Sequence, residues 1–202
     1  MWALLNNDNT INELITRPKG LTIGDIRYPR NIFNMWTASE LEALKIYEVV
    51  INNTNLKEDS YYRNTEQTFA FADGTVTATY GTATARVLDN VLWTAEDEAA
   101  FAWKVEGQVK EAGIRAKYKD NINHEAAGLL ASTDWMIIRA AEGGTAVPSA
   151  TTTWRAAVRT KANSMQAQID GAANVDALAA LYTYNDATPP VRPLGEFPVL
   201  GA

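Results

Sequence analysis

The dipeptide Asp73-Gly74, set between two runs of alternating side chains, leaves the first half of this chain little freedom. Both residues tolerate the positive φ that a two-residue type I′ turn demands, and such turns match the twist of the strands they join. Counting outward from the turn pairs Phe71 with Val76, Phe69 with Ala78 and Gln67 with Tyr80 on one face. The opposite face pairs Ala72 with Thr75, Ala70 with Thr77 and Thr68 with Thr79, all small or hydroxylated. A slip of one residue would exchange the faces, so the register is specified.

Around this hairpin, residues 1–94 read as an antiparallel β-rich module with one packed face. The apolar runs Trp2 to Leu5 and Ile11 to Ile15 flank Asn6-Asn7-Asp8-Asn9, which suits a hairpin loop. Pro18, Gly20, Gly24 and Pro29 predict an irregular connection after it. Thr37-Ala38-Ser39-Glu40 is a capping box that starts a short helix over Ala38 to Lys45, with Leu41 and Leu44 turned inward. Arg86 to Leu92 is expected to add a strand to the same sheet, with Val87 and Val91 inside.

Residues 95–184 change period from two to between three and four, and predict a helical bundle. Thr94 caps a helix whose first turn carries Glu96, Asp97 and Glu98, and a stripe of Phe101, Val105, Val109, Ala112 and Ala116 extends it to about Lys119. Gly107 and Gly113 weaken that helix or allow close backbone approach, and Asp120-Asn121-Ile122-Asn123 is expected to interrupt it. Leu130, Asp134, Ile137, Ile138 and Ala141 share a face up to Gly143-Gly144. Beyond Pro148, Trp154, Val158, Ala162, Met165 and Ile169 form the apolar edge of a second arm. The expected helical hairpin is edged by Asp134, Arg139, Glu142, Arg155 and Arg159, with Trp135 and Trp154 as anchors or exposed interface residues. Asn174 caps a last helix carrying Val175, Leu178 and Leu181.

Residues 185–202 form an extended Pro-rich C-terminal arm. Pro189, Pro190, Pro193 and Pro198 exclude helix, and Val191, Leu194, Phe197 and Leu200 recur at the three-residue period of a polyproline path. Such an arm docks on a neighbouring subunit, folds back over its own domain, or stays disordered. The expected class is therefore α+β: an N-terminal antiparallel β-rich module, a C-terminal helical hairpin or bundle, and an extended Pro-rich tail.

Asp134-Trp135 after Leu129-Leu130, followed by Trp154-Arg155 and Val158-Arg159, resembles the pattern of tailed-bacteriophage tail-assembly chaperone and tail-fibre-associated proteins. The likeness covers roughly residues 125–165. It implies a non-enzymatic role in building or decorating a phage tail. The implied partners are other tail or tail-fibre proteins, met in an oligomeric assembly. The implied location is the host cytoplasm during assembly, with retention in the virion tail if the protein is a structural subunit.

Composition narrows the chemistry. The net charge is −6, and the basic and acidic residues number 8 and 11 up to Thr94 against 10 and 13 after it, so neither half suits a phosphate backbone. With no cysteine and one histidine, His124, thiol chemistry and His-rich metal sites are excluded, and His124 reads as solvated or capping. No apolar run approaches the roughly 20 residues of a spanning helix, and Met1 to Leu5 gives way at once to Asn6-Asn7-Asp8, which predicts neither membrane span nor signal peptide. Asp8 with its Asn neighbours lacks the ligand spacing of a calcium loop. No cofactor, metal or nucleic acid is expected. Paired carboxylates in a cleft would instead mark a small carbohydrate-active or cell-wall hydrolase, the alternative function. Glu96, Asp97 and Glu98 are better explained as helix-end charges, and Glu58-Asp59 as part of a polar loop.

Overall fold

A computed structural model describes residues 1–201 and divides the chain into two compact units, Met1–Thr84 and Ala85–Ala202. Strands dominate the first and helices the second, so the chain is α+β. The break falls earlier than the expected one after residue 94, and the Pro-rich segment belongs to the second unit.

In the first unit β1 (Trp2–Leu5) and β2 (Ile11–Ile15) form the expected antiparallel hairpin. Asn9 takes the left-handed conformation at φ 65°, and the Asp8 carboxylate accepts from the Thr10 amide at 3.0 Å and hydroxyl at 2.6 Å. A second hairpin, β3 (Leu21–Ile23) and β4 (Ile26–Tyr28), occupies the segment expected to be irregular. Its turn is made by Gly24 at φ 59°, so that glycine marks a strand reversal rather than a break in order. The short α1 (Ile32–Met35) buries Ile32 and Phe33, and Phe33 meets the Trp2 ring at 4.8 Å. Helix α2 (Ala38–Ala43) has the full Thr37/Glu40 capping box and buries Leu41; it stops short of Lys45, which is left-handed at φ 58°.

The next strand, β5 (Ile46–Asn52), was not legible in the sequence. After the two-residue β6 (Tyr62–Arg63), β7 (Gln67–Ala72) and β8 (Thr75–Tyr80) pair in the register counted from Asp73-Gly74. Asp73 and Gly74 have φ of 49° and 76°. The main sheet has the order β2-β1-β5-β8-β7. β5 runs antiparallel to β1, with Leu4 opposite Ile46, and parallel to β8, with Val49 opposite Val76. The sheet is therefore mixed rather than antiparallel throughout, because the chain crosses over between β5 and β8 instead of turning back at once. It also packs on both faces. Leu4, Ile15 and Ile46 meet Leu21, Ile32, Phe33 and Leu41 on one side, while Ala3, Leu5, Val49, Val76 and Ala78 cluster on the other. Strand β9 (Thr84–Ala85) pairs with β6.

Arg86 to Leu92 does not extend the main sheet. In the second unit β10 (Val91–Leu92) pairs with β11 (Val109–Glu111), and Val91 is exposed. The long helix expected from Ala95 to Lys119 is likewise divided. Thr94 and Asp97 make a capping box, but the helix they start, α3 (Ala95–Ala100), is short, Phe101 is extended, and Gly107 sits at φ 80°, which no helix accommodates. The intervening loop gathers Trp93, Phe101 and Trp103 around the Lys104 ammonium at 4.7, 4.2 and 5.4 Å, and Asp97 pairs with that ammonium at 3.7 Å. Of the residues that imitated one helical stripe, Phe101 joins this aromatic cluster, Val109 enters β11, and Ala116 falls in the next helix.

Helix α4 (Ile114–Ala131) starts after Gly113 and passes unbroken through Asp120-Asn121-Ile122-Asn123. Ile122 and Ala126 are buried while the polar neighbours of Ile122 are not, so packing overrides the local preference of Asn and Asp for turns. After α5 (Asp134–Ala141), α6 (Ser149–Gly171) buries Trp154, Val158, Ala162, Met165 and Ile169, the stripe read from the sequence. Asn174 caps α7 (Val175–Tyr182), accepting from the Ala177 amide at 2.8 Å. Among the described residues no helix is long and apolar enough to cross a membrane.

Candidate functional site

The joint between α4 and α5 is built around one buried cation. Arg155 lies in the second turn of α6 beside Trp154, and its side chain is 8% exposed. Its Nη1 donates to the Leu130 carbonyl at 2.8 Å and the Thr133 hydroxyl at 2.6 Å, while Nη2 donates to Asp134 Oδ1 at 2.7 Å. Leu130 supplies one of the last-turn carbonyls that lack an i+4 partner, here also capped by the Thr133 amide at 3.0 Å, and Asp134 lies in the first turn of the following helix. The guanidinium fork thus satisfies the negative end of α4 and the acid that opens α5 together. Thr133 is buried between them and also donates from its hydroxyl to the Leu130 carbonyl at 3.0 Å. Asp134 remains half exposed, so this ion pair has only one desolvated partner.

The clamp orients α5, and no residue of α5 is buried. Trp135, Ile137 and Ile138 are 54%, 40% and 58% exposed. The Arg139 guanidinium stacks over the Trp135 ring at 4.8 Å. The helix closes where Gly143 turns left-handed at φ 84° and the Gly144 amide donates to the Arg139 carbonyl at 2.9 Å. The expected seam of Ile137, Ile138 and Ala141 against α6 is therefore corrected. The helix that packs along α6 is α4, and Ser132-Thr133 turns the chain away before the Asp134 helix begins. Of the residues singled out there, Asp134 and Arg155 meet, Arg139 joins Trp135, and Trp154 is buried. Glu142 and Arg159 are exposed and form no side-chain ion pair among the described residues.

The Pro-rich arm folds back within its own unit. Leu194 is fully buried, its amide donating to the Leu181 carbonyl at 3.0 Å and its carbonyl accepting from Lys161 Nζ at 2.8 Å. Trp154 Nε1 donates to the Pro198 carbonyl at 2.8 Å. Phe197 is partly buried, whereas Val191 and Leu200 are exposed. The four do not line one face, because Gly195 at φ 73° breaks the threefold path between Leu194 and Phe197.

Sequence reasoning overlooked Arg115, which closes the other end of α6. Its guanidinium donates to the carbonyls of Ile169 at 2.5 Å, Asp170 at 2.6 Å and Ala172 at 2.9 Å, and to Asp89 Oδ1 at 2.6 Å. One arginine near the start of a helix gives no sign of a carbonyl cap so distant in sequence.

The groups weighed for chemistry have structural partners. His124 Nδ1 lies 2.8 Å from the Asp120 carbonyl one turn back. Asp97 serves the Thr94 cap and two lysines, and the Thr94 amide holds its carboxyl below the usual range. Glu98 accepts from the Glu106 amide at 3.1 Å. Asn64 donates to Asp59 Oδ1 at 2.7 Å. The oxygens of the Asn6 to Asn9 loop converge on Lys45 Nζ, which donates to the Asn7 carbonyl at 3.1 Å and Asn9 Oδ1 at 3.3 Å, so a side-chain ammonium occupies the place considered for a metal. Among the described residues no three His, Asp or Glu side chains are grouped to hold a metal ion.

Tyr182 carries the largest electrostatic perturbation. Burial first, and then the Tyr118 phenol, push its pKa up to about 12, against the opposing pull of Arg192. Its hydroxyl is buried with no hydrogen-bond partner among the described residues. The unfolded chain ionises this phenol near 10, so its titration leaves stability unchanged below that pH and lowers it as pH rises from there toward 12. Tyr182→Phe should raise stability at neutral pH by about 1 kcal/mol by removing an unpaired polar group. It should also flatten the alkaline limb of a urea-unfolding series. A loss of stability at pH 7 would contradict this account.

Comparison of the chain with known families, with characterised proteins and with solved structures returned no match.

Proposed function

We propose that this chain works by contact rather than by catalysis, as a tail-associated protein of a tailed bacteriophage. It serves either as a tail-fibre or tail-tip subunit of the virion or as the chaperone that assembles one. Its partners are other tail or tail-fibre proteins, met in the host cytoplasm during assembly and kept in the particle if the role is structural. The viral setting rests on the likeness of residues 125–165. The mode of action is supported by a single observation: α5 is held at its root by the Arg155 clamp and turns Trp135, Ile137 and Ile138 outward. Large apolar side chains on a positioned helix are what a partner surface uses as anchors. Arg139 supports the same use by stacking on the indole and limiting its rotamers.

Two measurements test it. Mass spectrometry of purified particles, and of tail-fibre intermediates from infected cells, should find the protein in one or both; absence from both overturns the viral role. Replacing Trp135 and Ile138 together by serine should leave unfolding within about 0.5 kcal/mol of the parent, because neither side chain is buried. The same double variant should weaken recruitment by roughly thirtyfold, the effect of losing a hot spot worth about 2 kcal/mol. Unchanged recruitment would remove α5 from the interface.

A further inference from the structure

The C-terminal arm meets the helices largely through its backbone. Lys161 and Trp154 on α6 donate to the carbonyls of Leu194 and Pro198, and the Leu181 carbonyl at the end of α7 accepts from the Leu194 amide. One apolar side chain, Leu194, is fully buried, and Phe197 and Pro198 line a hollow shared with Gly128, Leu129 and Trp154. Side-chain donors on carbonyls, with an anchor in an apolar pocket, are how a folded surface takes an extended peptide. None of these contacts requires that the peptide belong to the same chain.

The link between helix and arm is fastened only lightly. Residues 183–191 are exposed, and so are the bonds that tie them: the Asn185 amide donates to the Val191 carbonyl at 2.9 Å, the Val191 amide to Asn185 Oδ1 at 2.9 Å, and the Tyr184 hydroxyl to Glu196 Oε1 at 2.7 Å. Water replaces such exposed bonds at small cost. Once open, the chain from Tyr182 to Leu194 can span about 40 Å at roughly 3.3 Å per residue, enough to reach the same groove on a neighbour.

We propose that this groove is an exchange site, and that two copies of the chain associate by trading C-terminal arms, each Leu194 seating in the partner subunit's groove. The occupant is specified by the groove itself, which already fits this segment. Intramolecular seating prevails in dilute solution, where a short tether supplies an effective concentration on the order of millimolar. Exchange takes over when copies are held together at or above that density. The proposal rests on the arm and its groove, and stands or falls apart from the viral role.

The test uses the full chain, which contains no cysteine. Ala150 and Val199 are exposed and line the same hollow beside Trp154, so either can be replaced by cysteine without entering the core. In dilute solution the A150C/V199C double variant should close internally with a short bismaleimide, which reports the seat itself. An equimolar mixture of the A150C and V199C single variants should give a cross-linked heterodimer whose yield rises with total concentration. It should exceed by at least about tenfold the yield from V199C mixed with E66C, a control for collision. Failure of the double variant to close would overturn the seat. Closure of the double variant, with heterodimer no more abundant than in the control at any concentration, would overturn exchange.

Discussion

Replacing Arg155 with alanine should lower the stability of the second unit by about 3 kcal/mol, read as a fall in the urea midpoint with unchanged slope. The guanidinium donates to the Leu130 carbonyl and the Thr133 hydroxyl in a buried turn; its loss leaves that carbonyl only the Thr133 amide and hydroxyl, each at 3.0 Å, takes a donor from the hydroxyl, and empties a buried volume beside Trp154. Asp134→Asn should cost less, about 1 kcal/mol, because that side chain is half exposed and an amide oxygen can still accept. Glu142→Ala and Arg159→Ala should stay within about 0.5 kcal/mol, as neither is buried or ion-paired among the described residues. Hydrogen exchange adds a local signature. In the Arg155 variant the amides of α5 should lose protection before those of α6, since the clamp secures the root of α5. An Arg155→Ala loss no larger than that of Arg159→Ala would show that the clamp contributes nothing.

Gly113→Ala should be nearly as damaging, at about 3 kcal/mol, although it adds one methyl group. A Cβ at Gly113 would lie 2.5 Å from the Leu88 carbonyl oxygen and 2.7 Å from the Asn90 nitrogen. These are backbone atoms and cannot rotate aside. The Gly113 amide also donates to Asn90 Oδ1 at 2.8 Å, so the same displacement would stretch that bond. Gly128, inside the helix that Gly113 precedes, provides the opposite case. Nothing lies within 4 Å of its added Cβ, and Gly128→Ala should raise stability by about 1 kcal/mol through helix propensity alone. Paired thermal or urea denaturation of the two variants measures the contrast, and equal effects would refute the close approach at Gly113.

What could be read from sequence follows the range of the interactions involved. The β7–β8 register, the Thr37, Thr94 and Asn174 caps and the α6 stripe were legible because each depends on residues within a few positions or on one strong period. The helix expected through Phe101 and Val105 failed because its apolar spacing belongs to an aromatic cluster around Lys104, and a count of periods cannot tell these apart. Strand β5 was missed because its neighbours lie far off in sequence on both sides, and its parallel partner requires a crossover. In the candidate site the Asp134–Arg155 pair was legible as opposite charges beside apolar residues. The direction of α5 was not, since it turns on Thr133, a threonine whose burial no local pattern announces.

Strand β5 also bears on how the first unit folds in time. The hairpins on either side of it close over short loops, which takes microseconds, whereas β5 must find β1 and β8 across much longer stretches of chain. Until it inserts, two small ribbons each expose an edge that the finished sheet covers. Capture of this one strand is therefore the step expected to set the pace of folding, and the interval before it the one in which self-association is expected to be greatest.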